Sequence, residues 1–435
     1  MSLRIQITLF AVVAIFCLFA ALYVRSYVDP RPHGVILFVA DGLNLEMLAA
    51  ARNTKFPSGG KLRMETLGNT AFLRVSTQNY AMPDAAAAVS AISTGRRLPN
   101  GRVGMDEKEI RLDNLVYIAE KRGRSVGLVS NGDLTHPTAA SFYAATSDLS
   151  NRSDIATQLV DNSGIDIIMG GGSEAFLRDT PVSGGIREDG RNLMKEAKSK
   201  GYWLAASASE MDEIDVWRLP KVLALFNEKD LFYRADLQKW FPGKSRPANQ
   251  PRLADMVRRA IQFLEYHVSG YFLVVNANLI GRAAEQNEGR RAVQEVLELD
   301  DALKTATAYS GKKTLIVLAS TGGIGGMTLT GSPTSATKKT SATPAQDALP
   351  VAWSSGPGGI PRDEKSRSWQ QRKIKMGLEQ NNPSDPDHRQ EALEFSPSGY
   401  RAGGDVFVTG SGTGSSAIKG FLDGSAIFEI IKNQL

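Results

Sequence analysis

The stretch Gly34-Val-Ile-Leu-Phe-Val-Ala-Asp-Gly-Leu43 constrains this chain more than any other. Val35 to Ala40 is an unbroken apolar run of strand length, rich in β-branched and aromatic residues. Such a run suits a central parallel strand buried on both faces. Asp41 then falls at the strand's carboxyl end, where open α/β sheets place their ligand sites. Gly42 permits a sharp turn, and Leu43 to Arg52 carries a helical pattern. A carboxylate in that place can receive a metal ion; the alternative is that Asp41 caps the helix.

The 435 residues, 42% of them hydrophobic, suffice for a large core. The formal net charge of +5 is scattered along the chain, which is not the footprint of a nucleic-acid binder. Cys17 is the only cysteine, so disulfides within the chain and cysteine-based metal sites are excluded. It lies inside an apolar segment and reads as an inert small hydrophobe.

That segment, Ile5 to Val24, has no charged residue and only Gln6 and Thr8 as polar breaks. As a helix of 1.5 Å rise per residue it would reach roughly 30 Å, the thickness of a bilayer's hydrocarbon core. It runs into Arg25 without a small-residue cleavage site, which predicts an uncleaved anchor rather than a signal peptide. The expected organisation is an anchor at 1–27 followed by one large domain at 28–435.

From Asp41 onward apolar strands alternate with helical patterns, the signature of a parallel sheet covered on both faces. Asp84 to Thr94 predicts an alanine-rich helix with Asp84 as its N-cap. Ser125 to Val129, Ile165 to Met169, Tyr271 to Val275 and Thr314 to Ala319 read as buried strands. Residues 328–399 differ: they are rich in Ser, Thr, Lys and Pro and almost without apolar periodicity. Lys338, Lys339, Lys365, Arg367, Arg372, Lys373 and Lys375 make the stretch basic. It reads as a solvated or partly disordered insertion, with a docking surface for an acidic partner as the other reading.

Several of these stretches together resemble the alkaline phosphatase family, collinearly from about Gly34 to Leu435. Val35 to Gly42 resembles its first strand and metal-binding Asp-Gly. Asp84 to Gly95, then Asn100-Gly101 and Gly104-Met105-Asp106, resemble its nucleophile helix and following loop. Thr135-His136-Pro137-Thr138-Ala139-Ala140 resembles its Thr-His-x-Thr-Pro-Ala segment, and Gly164 to Gly172 its strand ending in three glycines. The resemblance implies a doubly wound, mostly parallel α/β sheet with helices on both faces. It further implies phosphate-monoester hydrolysis with two zinc ions, one magnesium ion and a serine nucleophile.

Such chemistry needs paired cations to clamp the attacking and leaving oxygens, held by carboxylates and neutral imidazoles. At the matching positions those residue types are mostly replaced. Ala85 stands at the nucleophile position, and a methyl group cannot attack phosphorus. The ligand positions after Tyr271–Val275 hold Asn276, Gly281 and Glu285; those after Thr314–Ala319 hold Thr321 and Gly322. Arg401 in Arg401-Ala402-Gly403 replaces a ligating histidine. Leu149 falls on the phosphate-clamping arginine, with Arg152 three residues on. Asp41, Thr138 and His136 are retained. Zinc needs three or four ligands, and Arg401 sets a fixed positive charge where a dication would sit. At about 4 Å and an effective dielectric of ~20, that repulsion is roughly 4 kcal/mol per unit charge product.

The sequence therefore predicts a membrane-anchored, catalytically degenerate relative that binds or scaffolds a protein partner and holds no metal cofactor. In that reading Arg401 forms a salt bridge with Asp41, Glu285 or both, in place of the metals. Two rival readings are a working hydrolase rebuilt on Asp41, His136, Thr138 and Glu285, and a phosphate- or sulfate-binding module using Arg401 and Arg152. Ser90 and Ser93 read as packing residues of their helix, and Gly170 to Gly172 as a turn. The secretion habit of the family implies an extracytoplasmic domain.

Overall fold

The strand Gly34–Gly42 (β1) lies in the middle of a ten-stranded sheet, buried along its whole length. The computed structural model describes all residues except 1–2, 29–30, 79–81, 163, 181–183, 241–249, 312, 330–350 and 360–387. In chain order the other strands of this sheet are β2 (Asn69–Arg74), β3 (Ser125–Asp133), β4 (Ile167–Gly171), β5 (Tyr202–Ala205), β6 (Lys221–Leu225), β7 (Tyr271–Ala277) and β8 (Thr314–Gly323). Two more, β12 (Val406–Ser411) and β13 (Gly420–Asp423), complete it. Three short strands, β9 (Thr328–Leu329), β10 (Val351–Gly356) and β11 (Ala392–Phe395), form a separate small sheet.

The large sheet runs β13-β2-β12-β8-β1-β7-β3-β4-β6-β5. All its pairings are parallel except those of β12, which is antiparallel to both β2 and β8. Period-two alternation within the apolar run explains how β1 can be buried twice. Ile36, Phe38 and Ala40 join one core, whereas Val35, Leu37 and Val39 join the other. On the first face pack α2 (Leu45–Lys55), α10 (Leu253–Leu264), α11 (Leu279–Glu285) and α12 (Gly289–Tyr309). On the second pack α3 (Ala85–Thr94), α4 (Leu115–Lys121), α6 (Arg152–Asn162), α7 (Leu193–Ser199) and the last helix, Gly424–Lys432.

Two expectations change. The first helix, α1 (Leu3–Val28), does form. Among the described residues, however, no helix is long and apolar enough to cross a membrane. The side chains described in α1 are those of residues 7–20, all exposed. The remaining side chains of Ile5 to Val24 lie outside the described residues. The stretch 328–399 is also more structured than its composition predicts: β9, β10 and β11 pair with one another, and Trp353 is 1% exposed within the first core. The basic cluster from Lys338 to Lys375 lies outside the described residues.

Candidate functional site

Where β1 meets β8 the register slips. Ala40 faces Ser320 and Gly42 faces Gly323, so Thr321 and Gly322 together oppose Asp41. This bulge aims the Thr321 hydroxyl at the carboxylate, to which it donates at 2.7 Å. Gly322 takes a positive φ of 108°, which a side chain would resist. Arg401 arrives from the far end of the chain: it bridges to Ile324, and Ala402 N–H donates to the Gly323 carbonyl at 2.8 Å. That pairing delivers its guanidinium onto the same Asp41 oxygen that Thr321 engages. Its second nitrogen donates to the Thr321 carbonyl at 3.1 Å and the Thr321 hydroxyl at 3.4 Å.

The other side of Asp41 is equally crowded. Gly42, with φ 81°, lies so close to α11 that a Cβ on it would stand 2.7 Å from the Gly281 Cα. A Cβ on Gly281 would stand 3.1 Å from the second Asp41 oxygen. Asp41 is 2% exposed. Burial pushes its carboxyl up, but Arg401, His136 and the hydrogen bonds from Arg401 and Thr321 outweigh this and hold it below the usual carboxylate range.

A second polar chain lies at the ends of β3 and β7. Asn276 donates its amide to the Thr138 hydroxyl at 2.7 Å, and that hydroxyl meets the His136 Nδ1 at 2.8 Å. The Thr138 N–H also points at Nδ1, at 3.4 Å, so this nitrogen accepts in the neutral ring, the form present at neutral pH. Burial, foremost, and the Arg282 guanidinium bring the imidazole down to about 4, against the pull of Asp41 and Asp230. Thus His136 caps a single-turn helix, Pro137–Ala140, while its ring belongs electrostatically to the Asp41 cluster.

Glu285 does not reach Arg401. Its ion pair is with Arg282, 3.5 Å away and one turn back on α11, and burial pushes its carboxyl up. Arg282 also faces Asp230 at 3.3 Å. Ala85 opens α3 behind Asp84, whose two oxygens cap Ala87 N–H at 2.8 Å and Gly101 N–H at 2.6 Å. Ser90 and Ser93 are fully buried on that helix. Leu149 packs against the second core, and Arg152 is bound by both Asp133 and Glu174. With Arg401 bound to Asp41, the two arginines of the anion-binding reading are each already engaged by a carboxylate. Of the three glycines expected to form a turn, Gly170 and Gly171 instead end β4, and only Gly172, at φ 93°, turns the chain, its N–H taken by the Lys229 carbonyl at 2.9 Å.

Sequence reasoning passed over Arg282, Asp230 and Asn278. Arg282 carried a signal, since it sits three residues before Glu285 on one helix. Asp230 carried none, because a loop after β6 supplies it. Asn278 is fully buried, with both amide atoms lacking a partner among the described residues. Among the described residues no three His, Cys, Asp or Glu side chains gather as metal ligands.

Residues 33–435 match the alkaline phosphatase family. Alkaline phosphatase 4 of Bacillus subtilis is 28% identical over 308 residues, covering 68% of this chain and 62% of that protein, so the chain spans under two thirds of that relative. Among solved structures, the alkaline phosphatase of Thermus thermophilus superposes with a TM-score of 0.72 at 20% identity, over 94% of this chain and 92% of the other. The alkaline phosphatase of the Antarctic bacterium TAB5 gives 0.66 at 20% identity, over 93% and 98%. The chain belongs to the alkaline phosphatase family.

Proposed function

We propose that this protein is a catalytically degenerate alkaline phosphatase homologue, which binds or scaffolds a partner instead of hydrolysing phosphate esters. The observation that carries this reading is the Arg401 guanidinium on Asp41. In a working relative the retained aspartate would face a cation; here a cationic side chain already neutralises it. The surrounding positions support the same reading. Asn276 is committed to Thr138, Thr321 to Asp41, and Gly281 leaves no space for a carboxylate beside Asp41. These residues do not fit a zinc pair, which needs several anionic or imidazole donors around each ion. With a methyl group at Ala85 and no clamp, neither nucleophile nor charge stabilisation is in place.

The domain is held at a membrane surface in this reading. From Ile7 to Ala20 every side chain is exposed and only Thr8 is polar, so α1 presents an apolar surface that needs a cover. Elemental analysis of the purified full-length protein, with and without added zinc and magnesium, tests the main proposal. The expected result is substoichiometric metal and no turnover of p-nitrophenyl phosphate. Zinc bound in stoichiometric amount together with hydrolysis would establish the rebuilt-hydrolase reading instead.

A further inference from the structure

A cleft of about 380 Å³ opens beside α11, with Asn131 in its lining. Its apolar wall is Leu231, Phe232, Leu237, Leu253 and Leu279, contributed by α10, α11 and α9 (Arg234–Trp240) with the loop before it. Phe232 and Gln238 are exposed, so the cleft reaches solvent. This volume lies in the range of small-molecule sites, roughly 300–1,000 Å³.

Among the described residues, the ionisable side chains around the cleft are unevenly paired. Arg252 lies 2.7 Å from both Glu298 and Asp301, and Arg234 lies 3.1 Å from Glu298 and 3.0 Å from Asp301. Lys55 faces Asp300 at 3.1 Å and Asp301 at 3.3 Å. Among the described residues, these three cations serve three of four neighbouring carboxylates, Glu298, Asp300 and Asp301. The fourth, Glu295, is 2% exposed, lines the cleft, and faces no cationic side chain within ion-pair distance among the described residues. It receives only the Arg234 backbone N–H at 2.7 Å and the Asn131 amide at 3.2 Å.

We propose that this cleft binds a small amphiphilic amine, its apolar body against the leucine and phenylalanine wall and its ammonium on Glu295. The acid without a cationic neighbour among the described residues points to the ligand class: an ammonium would pair with Glu295 as it ionises, whereas an anion would meet arginines already engaged by carboxylates. Burial, foremost, and the neighbouring Glu298 push the Glu295 carboxyl up to about 8. The Arg234 backbone and side chain pull the other way, Asp236 adds to the rise, and Tyr233 also faces the group. An ammonium would favour the ionised form and expel the proton. The site is independent of the proposed loss of catalysis, since none of its lining residues belongs to the Asp41 cluster.

Three isosteres distinguish the ligand classes: phenylbutylamine, phenylbutanol and phenylbutyrate, titrated calorimetrically into the full-length protein. The amine should bind at least about tenfold tighter than the other two. Its affinity should rise roughly tenfold per pH unit from about pH 6 to 7.5, with close to one proton released per ligand as read from two buffers. Glu295→Gln should abolish the proton release and the preference for the amine. Leu237→Trp should fill the cleft and weaken all three while leaving Glu295 in place. Equal binding of the alcohol, tighter binding of phenylbutyrate, no binding of any, or amine binding that survives both substitutions overturns the proposal.

Discussion

Arg401 and Asp41, 360 positions apart in sequence, form an ion pair at the carboxyl end of the central strand. Asp41 is almost fully buried, and the Arg401 side chain keeps only about a seventh of its surface, 14%. Removing one partner strands the other. Arg401→Ala is therefore expected to destabilise the fold by about 3–5 kcal/mol, the range for a broken buried pair. Urea unfolding measures this. The double variant Asp41→Leu with Arg401→Leu should be far less than additive, because it removes both charges together. Simple additivity would mean that the pair is not coupled.

Ala85→Ser alone is expected to leave the protein inactive. The hydroxyl would return at the start of α3, but Asp84 beside it is spent on capping Ala87 and Gly101. No metal would lower the hydroxyl's pKa, and no clamp would hold the phosphoryl oxygens. Hydrolysis of p-nitrophenyl phosphate by this single variant, rising with added zinc, would refute the proposed decay of the site.

Stability should fall on mild acidification, through His136. Its folded pKa, about 4, lies below the ordinary 6.5. Between these values the unfolded chain takes up a proton that the folded one does not, so acid favours unfolding. The loss begins near pH 6.5 and is complete near pH 4, amounting to at most about 3 kcal/mol because the ring is partly exposed. Asp41 has the same sign at lower pH: its folded pKa is depressed, so its contribution is present above about pH 4 and vanishes below its folded value. His136→Asn, which retains a side chain able to cap the helix, should flatten the stability curve between pH 6.5 and 4. An unchanged slope would remove His136 as its source.

How far the sequence spoke for the fold and site depends on the element. β1 was readable because a strand buried on both faces must be apolar at every position, and Asp41 necessarily follows it. The Arg401–Asp41 pair was readable because a buried carboxylate needs a partner and the family resemblance set Arg401 at a ligand position. Glu285 was expected to share that arginine and does not, because Arg282 on the same helix meets it first. The strands β9, β10 and β11 were hidden in a stretch of weak periodicity, since each is short and its partners lie far along the chain. Nor could sequence find the cleft at Glu295, which α9, α10, α11 and α12 enclose only after packing.

Gly281→Asp, which would put a carboxylate where the resemblance implies a metal ligand, should harm this protein instead of repairing it. An added Cβ would stand 3.1 Å from the Asp41 oxygen and 3.1 Å from Ile324 Cδ1, tighter than ordinary contact. The side chain must then push α11 away from β1, where Gly42 lets the two backbones approach. The second negative charge would also share a single arginine with Asp41. Overpacking alone costs about 1–3 kcal/mol, and an uncompensated buried charge adds several more. Gly281→Ala separates the two effects, since it carries the steric part only. The expected order of unfolding midpoints is wild type, then Gly281→Ala, then Gly281→Asp, with added zinc raising none of them. If zinc instead restored the midpoint of Gly281→Asp, the site would still be able to assemble a metal centre, and the reading of Arg401 as its permanent replacement would fall.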